Sequence, residues 1–183
     1  MKLKILYFLP IVIMIFFKTN ATVSYDKLFY DFKINDVSGK ELNLNDYRNK
    51  VILLVNTASY CGFTKQYNGL QNIWDKYKNK DFVVLGVPSK SFNQEKNTNK
   101  EVKEFCEFNF NINFPITEIT NVKGDNAHPI YKWASKNYGK SAIPKWNFHK
   151  ILINKDGMIE ETFSPLTKPT SIKVINKIEE LIN

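Results

Sequence analysis

Two runs of consecutive apolar residues constrain the fold of this chain more than any other feature of its sequence. They cover residues 51–55 and 82–87, and both are rich in β-branched residues. A strand with one face in water alternates apolar and polar residues, whereas these runs do not, which indicates strands covered on both faces. Between them, the apolar residues of 65–77 recur at the spacing of one helix face. The order strand, helix, strand predicts a parallel pair of strands in a layered α/β domain.

The remaining pattern completes this architecture with a second pair of strands near the C-terminus. Strands are predicted at residues 148–153 and 158–163, joined by a turn in which Asp156-Gly157 supplies the left-handed backbone. Further helices are predicted at residues 99–108, 130–136 and 171–182, and a small hairpin at 28–34 and 42–44. With parallel strands first and a hairpin last, the order fits a thioredoxin-like fold. In that fold, helices cover both faces of a central mixed sheet.

The first residues of the chain have the composition of an export signal. Two lysines within residues 1–4 precede the largely apolar segment 5–17, which is as long as the core of a signal peptide and short for a membrane span of ~30 Å. Thr19-Asn20-Ala21 partly meets the small-x-small rule for cleavage. We therefore predict a signal peptide over residues 1–21 and one domain over residues 22–183, exported to the bacterial periplasm. If the segment stays uncleaved, it would anchor the domain outside the cytoplasm.

The overall composition excludes several classes of protein. The chain has 183 residues, of which 43% are hydrophobic and 24% charged, so it can form a buried core and is not disordered by composition. Its net charge of +8 comes from lysines spread along the whole sequence, which argues against nucleic-acid binding. Two histidines and two cysteines are too few for an all-protein zinc site. The lysines leave peripheral contact with an anionic membrane or an acidic reductase open.

One of the two cysteines, Cys61, lies where ligands bind in α/β sheets. It follows the carboxyl end of the first buried strand and precedes the first helix. Free backbone N–H groups and the positive end of the helix dipole would stabilise a thiolate there. Cys61-Gly62-Phe63-Thr64 has the spacing of a C-x-x-C redox motif with threonine in place of the second cysteine. This favours a thiolate that reacts with a small oxidant or a distant thiol over a buried structural cysteine.

The sequence around Cys61 resembles the signature of glutathione peroxidases, in the form that has cysteine in place of selenocysteine. The signature reads Asn56-Thr57-Ala58-Ser59-Tyr60-Cys61-Gly62-Phe63-Thr64-Lys65-Gln66-Tyr67. Further blocks follow in family order: Leu85-Gly86-Val87-Pro88, Gln94-Glu95, Glu104-Phe105-Cys106, Phe114-Pro115-Ile116, Lys145-Trp146-Asn147-Phe148 and Leu166-Thr167-Lys168-Pro169. The resemblance runs from about residue 25 to the C-terminus, and the ordered set of motifs is highly specific.

The resemblance implies an enzyme that reduces hydrogen peroxide and organic or lipid hydroperoxides with no metal or organic prosthetic group. Cys61 would attack the peroxide and become a sulfenic acid. Trp146 and Asn147 match the family's active-site tryptophan and asparagine, whose N–H groups are neutral donors. Because successive strand residues face opposite sides, both can reach Cys61 only if they precede the regular strand. The alternative for Trp146 is a core aromatic.

The second cysteine, Cys106, matches the resolving cysteine of the family's thioredoxin-dependent branch. Its thiol would condense with the Cys61 sulfenic acid to form a disulfide, after local unwinding of the helix that carries it. A thioredoxin-like protein would then reduce the disulfide, with glutathione as the alternative reductant. A buried helix residue with no redox role is the other interpretation of Cys106. The stretch before Trp146 is short, as it is in the monomeric members of the family that accept lipid hydroperoxides. The resemblance is therefore to that type.

The chain departs from the family pattern after the second buried strand. Where members carry Phe-Pro-Cys-Asn-Gln-Phe, this chain has Val87-Pro88-Ser89-Lys90-Ser91-Phe92. The family's active-site glutamine therefore maps to Ser91, and one residue is missing before Gln94. Ser91 would donate through a water molecule, or Gln94 would take the place of the glutamine. The sequence leaves both alternatives open.

Two functions of other classes are also compatible with this sequence. A periplasmic thiol–disulfide oxidoreductase would use Cys61 on protein disulfides, although the second thiol of the C-x-x-C motif is missing. A non-catalytic redox sensor would keep the fold and oxidise Cys61 only as a signal. Turnover of peroxide with a reductant separates these functions from a peroxidase. A serine hydrolase is disfavoured because His128 and His149 lie in no recognisable nucleophile context.

Overall fold

The domain alternates strands and helices in the order that the sequence predicts. The computed structural model describes residues 25–183. Its strands are β1 (Ile34–Asn35), β2 (Glu41–Leu42), β3 (Val51–Thr57), β4 (Phe82–Pro88), β5 (Lys150–Ile153) and β6 (Ile159–Phe163). Its helices are α1 (Gln66–Tyr77), α2 (Asn99–Phe110), α3 (Pro129–Tyr138) and α4 (Ile172–Ile182). Short 3-10 turns lie at Phe29–Asp31, Leu44–Tyr47 and Gly139–Ala142.

The four longer strands form one mixed sheet in the order β4-β3-β5-β6. β3 and β4 run parallel, with Val51 opposite Phe82, and every residue of both strands is buried. β5 runs antiparallel to β3, and β6 runs antiparallel to β5 across the predicted hairpin. The predicted mixed sheet, with parallel strands first and a hairpin last, is therefore confirmed.

Helices cover both faces of this sheet, because β3 and β4 have no polar face. Ile52 of β3 packs into one apolar cluster with α3. The next residue, Leu53, points to the opposite face and packs into a second cluster with α1, α2 and α4. This second cluster also contains Cys61 and Cys106. Both cysteines therefore belong to the same layer of the domain.

The predicted strand at residues 28–34 is largely absent. A 3-10 turn occupies Phe29–Asp31, and only β1 and β2 pair as a two-residue ladder. Phe29 and Tyr30 are both buried in the α3 cluster. In a strand, two consecutive side chains would point to opposite sides, whereas a tight turn lets both pack inward. Burial of the adjacent aromatic residues therefore outweighs their strand propensity.

The predicted signal peptide falls on residues that the structure does not describe. Residues 1–24 lie outside the described part, so the signal segment over residues 1–21 and its cleavage remain predictions. Within residues 25–183, no helix is both long enough and apolar enough to span a bilayer.

Candidate active site

The loop over residues 58–65, called here the cysteine loop, connects β3 to α1 and carries Cys61. Thr64 fixes its shape. The Thr64 hydroxyl accepts from the Cys61 N–H (3.1 Å) and lies within donating distance of two carbonyl oxygens, those of Ala58 (2.9 Å) and Cys61 (2.7 Å). Thr64 occupies the place of the second thiol in a C-x-x-C motif, and here that position closes the loop. Cys61 lies at the carboxyl edge of the sheet, where the sequence places it.

The Cys61 sulfur faces the backbone at the approach to α1. The Phe63 N–H donates to Sγ at 3.4 Å. An N–H group directed at sulfur stabilises the negative charge of a thiolate. Cys61 as a whole is 7% exposed. The site thus keeps the cysteine largely buried and already provides its sulfur with one donor.

Trp146 and Asn147 lie in the turn before β5, so the prediction that both precede the regular strand is confirmed. Asn56 of β3 holds this turn with two groups. Its Nδ2 donates to the Trp146 carbonyl (3.1 Å), and its carbonyl accepts from the Phe148 N–H (2.6 Å). Phe148 has a φ of 66°, a left-handed conformation that is unusual for a bulky residue and is retained by such contacts. The end of β3 therefore positions both the cysteine loop and the turn at residues 146–148.

Trp146 and Asn147 differ in their exposure. Trp146 is 42% exposed and packs on Phe92, with ring centroids 5.3 Å apart, so a core aromatic is the wrong interpretation for it. Asn147 is fully buried, and its Nδ2 donates to Gln94 Oε1 at 2.9 Å. Asn147 thus belongs to the interior of the site and Trp146 to its surface.

Gln94 links the cysteine loop to Asn147. Its carbonyl accepts from the N–H of Tyr60, the residue before the cysteine (2.9 Å), while its side chain accepts from Asn147. Ser91 has a different contact, because its hydroxyl accepts from the Val122 N–H at 3.0 Å. Of the two residues that the sequence leaves open, Gln94 is the one in contact with Asn147.

Glu95 is a buried carboxylate that the sequence analysis did not assign a role. Its Oε1 accepts from both the N–H and the hydroxyl of Ser59 and from the Lys96 N–H. Burial raises the pKa of Glu95 above its usual value, and the hydrogen bonds from Ser59 and Lys96 offset this only in part. Glu95 therefore fastens the start of the cysteine loop next to the contact made by Gln94.

Lys150 is a fully buried cation behind the turn at residues 146–148, and sequence reasoning also missed it. Its Nζ donates to the Phe148 carbonyl (2.7 Å) and to Gln66 Oε1 (2.8 Å). Burial lowers the pKa of Lys150 to about 7. The lysine connects the left-handed residue of the turn to the first residue of α1, and so to the helix that follows the cysteine loop.

The buried lysine makes stability depend on pH in a defined direction. The unfolded chain holds this proton up to about pH 10, whereas the folded pKa is about 7. Between these values the unfolded state binds more protons, so the free energy of unfolding rises with pH. In chemical denaturation from pH 7 to 10, the free energy of unfolding of wild type relative to Lys150→Met should therefore rise by a few kcal/mol. Parallel curves would contradict a buried, protonatable Lys150.

Cys106 lies within α2, fully buried, and both cysteines are free thiols. Burial raises the pKa of the Cys106 thiol to about 12. The buried Tyr67 hydroxyl beside it, which forms no well-aligned hydrogen bond, lowers that pKa only in part. A thiol held in this way is a poor nucleophile. In this buried form Cys106 is therefore unreactive, and its pairing with Cys61 after local unwinding of α2 stays a prediction.

The two histidines occupy structural positions. His128 caps α3, where its ring nitrogen accepts from the Ile130 N–H at 3.3 Å. His149 is buried, and this burial together with neighbouring Lys150 and Lys145 lowers its pKa to about 4. Among residues 25–183, no group of three or more His, Cys, Asp or Glu side chains is arranged to hold a metal ion.

A thioredoxin-like fold with a cysteine at the carboxyl edge of the sheet is typical of thiol-based redox proteins, and comparison with known proteins narrows this class. The glutathione peroxidase family profile matches residues 29–135. The glutathione peroxidase-like peroxiredoxin gpx1 of Schizosaccharomyces pombe is 40% identical over 158 residues, covering 84% of this chain and 98% of that protein. The hydroperoxy fatty acid reductase gpx1 of Synechocystis is 37% identical over 170 residues, covering 88% and 99%. This chain therefore belongs to the glutathione peroxidase family.

Solved structures agree with this assignment. The crystal structure of T. cruzi GPX1 has a TM-score of 0.68 and 30% identity, with 85% of this chain and 97% of that chain covered. The expected thioredoxin-like fold is confirmed.

Family membership makes the protein a peroxidase, an oxidoreductase that reduces peroxides with electrons from thiols, and the family needs no prosthetic group. The thiol–disulfide oxidoreductase and the redox sensor are not favoured.

Proposed function

We propose that Cys61 reduces hydroperoxides and is itself oxidised to a sulfenic acid. Cys106 then forms a disulfide with Cys61, and an external dithiol reduces this disulfide. The observation that carries this proposal is the set of hydrogen bonds around Cys61 and its loop. Its sulfur accepts from the Phe63 N–H, and its loop is tied through Gln94 to Asn147. A thiolate that faces an N–H donor is suited to attack an O–O bond.

In the first step, the Cys61 thiolate attacks the terminal oxygen of the hydroperoxide. An S–O bond forms and the O–O bond breaks, so the sulfur is oxidised to a sulfenic acid while the peroxide is reduced. The other oxygen leaves as hydroxide or alkoxide and takes up a proton to give water or an alcohol. We assign Trp146 and Asn147 the role of donors to the charge that develops on sulfur and oxygen.

In the second step, the Cys106 thiol attacks the sulfur of the sulfenic acid. An S–S bond forms, the S–O bond breaks, and hydroxide leaves with the thiol proton as water. While α2 is closed, Cys106 is buried and its thiol pKa is about 12. Opening of α2 would expose the thiol to water and restore its ordinary acidity. The disulfide step is therefore gated by this helix.

The N-terminal cap of α2 provides a way to test this gating. The Thr98 hydroxyl accepts from the Glu101 N–H (3.2 Å), and the Glu101 carboxylate accepts from the Thr98 N–H (2.9 Å). Thr98→Ala should destabilise α2 by about 1 kcal/mol. Disulfide formation should then accelerate about fivefold, because the open helix becomes more populated. Rapid-quench mass spectrometry after peroxide addition measures this rate.

The control for this variant is Lys100→Ala, a change on the exposed side of the same helix. It should leave the rate of disulfide formation within about twofold of wild type. Oxidation of Cys61 itself should be unchanged in both variants. A Thr98→Ala protein that forms the disulfide no faster than wild type would contradict gating by α2.

A thioredoxin-like protein is the reductant that the two cysteines favour over glutathione. Its dithiol would reduce the Cys61–Cys106 disulfide to two thiols and would itself be oxidised to a disulfide. If residues 1–21 direct export, this donor must lie outside the cytoplasm. We propose a periplasmic monomer, with cleavage after Ala21 or retention of the segment as an anchor.

Lipid hydroperoxides are proposed as substrates besides hydrogen peroxide. Two aromatic side chains next to the site are exposed, Tyr60 at 61% and Trp146 at 42%. Exposed aromatic surface of this kind can contact an acyl chain or the interfacial region of a membrane. The Synechocystis relative is named a hydroperoxy fatty acid reductase, which supports the same substrate class here.

A coupled assay tests the proposed function. With NADPH, thioredoxin reductase and thioredoxin, addition of hydrogen peroxide or linoleic acid hydroperoxide should give continuous NADPH oxidation. Glutathione with glutathione reductase should support a slower rate. Absence of turnover above the enzyme-free rate with both reductants and both peroxides would contradict the proposal.

A further inference from the structure

We infer that Gln94 is a positioning residue for Cys61, which holds the buried amide of Asn147 against the cysteine loop. The inference rests on the proposed function of Cys61 and adds a residue to its machinery. It depends on two contacts of one residue, a backbone contact to the loop and a side-chain contact to Asn147.

The backbone contact fixes where Gln94 lies relative to the cysteine. Its carbonyl accepts from the Tyr60 N–H at 2.9 Å, and the carboxylate of the next residue, Glu95, accepts from Ser59. Segment 94–95 is thereby bonded to the two residues that directly precede Cys61. Because the Gln94 bond to Tyr60 uses the backbone, a substitution of the Gln94 side chain leaves this anchor in place.

The side-chain contact determines the orientation of Asn147. Asn147 Nδ2 donates to Gln94 Oε1 at 2.9 Å, while Asn147 Oδ1 is buried without a hydrogen-bond partner among residues 25–183. A buried amide with one unsatisfied atom is costly to keep in place. The bond to Gln94 is the one side-chain hydrogen bond that holds Asn147 in the described part of the chain. Without it, the amide is free to rotate away from its present direction.

Ser91, the other residue that could replace the family's glutamine, has no hydrogen bond to Asn147 or to the cysteine loop. Ser91 accepts from the Val122 N–H at 3.0 Å, and its own N–H donates to Ser89 Oγ at 3.1 Å. Both contacts shape the segment that follows β4. Gln94 Nε2, in contrast, donates to no other group among residues 25–183, and its side chain is only half-buried. Gln94 therefore also leaves an unused N–H donor beside the site.

A double-mutant cycle tests the inference. The variants are Gln94→Ala, Asn147→Ala and the combination, and the readout is the rate of Cys61 oxidation by hydrogen peroxide in a single turnover. Each single variant should slow oxidation about 10- to 100-fold, because the donor at the reacting centre is misplaced. The double variant should be no slower than Asn147→Ala, since Gln94 acts through that residue.

Two controls separate positioning from a general loss of structure. Asn97→Ala changes an exposed amide in the same segment, whose side chain bonds to no residue of the described part, and should leave the rate within twofold of wild type. Unfolding curves identify any variant whose slower reaction reflects lost stability. A loss of stability alone would lower the rate of Cys61 oxidation and the free energy of unfolding without coupling Gln94 to Asn147.

The inference is overturned if Gln94→Ala oxidises within twofold of wild type, or if the two substitutions multiply in the double variant. It is also overturned if Ser91→Ala, rather than Gln94→Ala, slows oxidation. The rate of alkylation of Cys61 by iodoacetamide provides a readout that needs no peroxide. If wild-type Cys61 fails to react with peroxide, the proposed function fails, and the alkylation rates still decide whether Gln94 positions the site.

Discussion

Cys61→Ser is expected to lower peroxide reduction by roughly 10³-fold or more, to the rate of the enzyme-free reaction. A serine hydroxyl is almost fully protonated at neutral pH and does not attack the O–O bond as a thiolate does. The substitution keeps the size of the side chain and the Thr64 contacts of the loop, which involve the backbone of residue 61. Stability should therefore change little. The measurement is NADPH oxidation in the coupled assay with thioredoxin.

The control for this substitution is the wild-type protein alkylated at Cys61, which should be equally inactive. The unfolding curve of Cys61→Ser should match that of wild type. Peroxide turnover that persists in a folded Cys61→Ser protein would place the reacting group elsewhere. It would remove the basis for every role proposed around this cysteine.

Cys106→Ser is expected to abolish sustained turnover with a dithiol reductant while the first oxidation proceeds normally. Cys61 should reach the sulfenic acid within about twofold of the wild-type rate, because Cys106 lies in α2 and takes no part in that step. Turnover with thioredoxin should fall by roughly 100-fold, since no intramolecular disulfide forms for it to reduce. The sulfenic acid should accumulate and be trapped by dimedone.

Cys106→Ala serves as the second variant, because a serine hydroxyl at this buried position adds its own desolvation cost. Both variants should give the same kinetic pattern. Full thioredoxin-dependent turnover in either one would show that Cys106 is a structural residue. In that case Cys61 would react directly with an external thiol.

The fold could be predicted because its central strands have no polar face. Residues 51–55 and 82–87 could be buried only between two layers, and β3 and β4 are buried along their whole lengths. The position of Cys61 followed from the same argument, since it comes directly after one of these strands. The turn at Phe29–Asp31 could not be predicted locally. It depends on how two adjacent aromatic residues pack against α3.

The supporting residues of the site were harder to predict, because their roles arise from tertiary contacts. Lysine is rarely buried, so nothing in the sequence marks Lys150 as a fully buried residue. Gln94 and Glu95 lie in a loop whose path to residues 59–60 appears only in the folded chain. The one available signal was the family block Gln94-Glu95 itself. It indicated a resemblance to the family without assigning a role to either side chain.

The intact mass of the reduced protein, before and after one equivalent of hydrogen peroxide, tests the central claim most directly. The account predicts a rapid loss of two hydrogen atoms, about 2 Da, with peptide mapping that places a disulfide between Cys61 and Cys106. Addition of one oxygen at Cys61 without a disulfide would contradict the role of Cys106. An unmodified Cys61 would contradict the peroxidase mechanism as a whole.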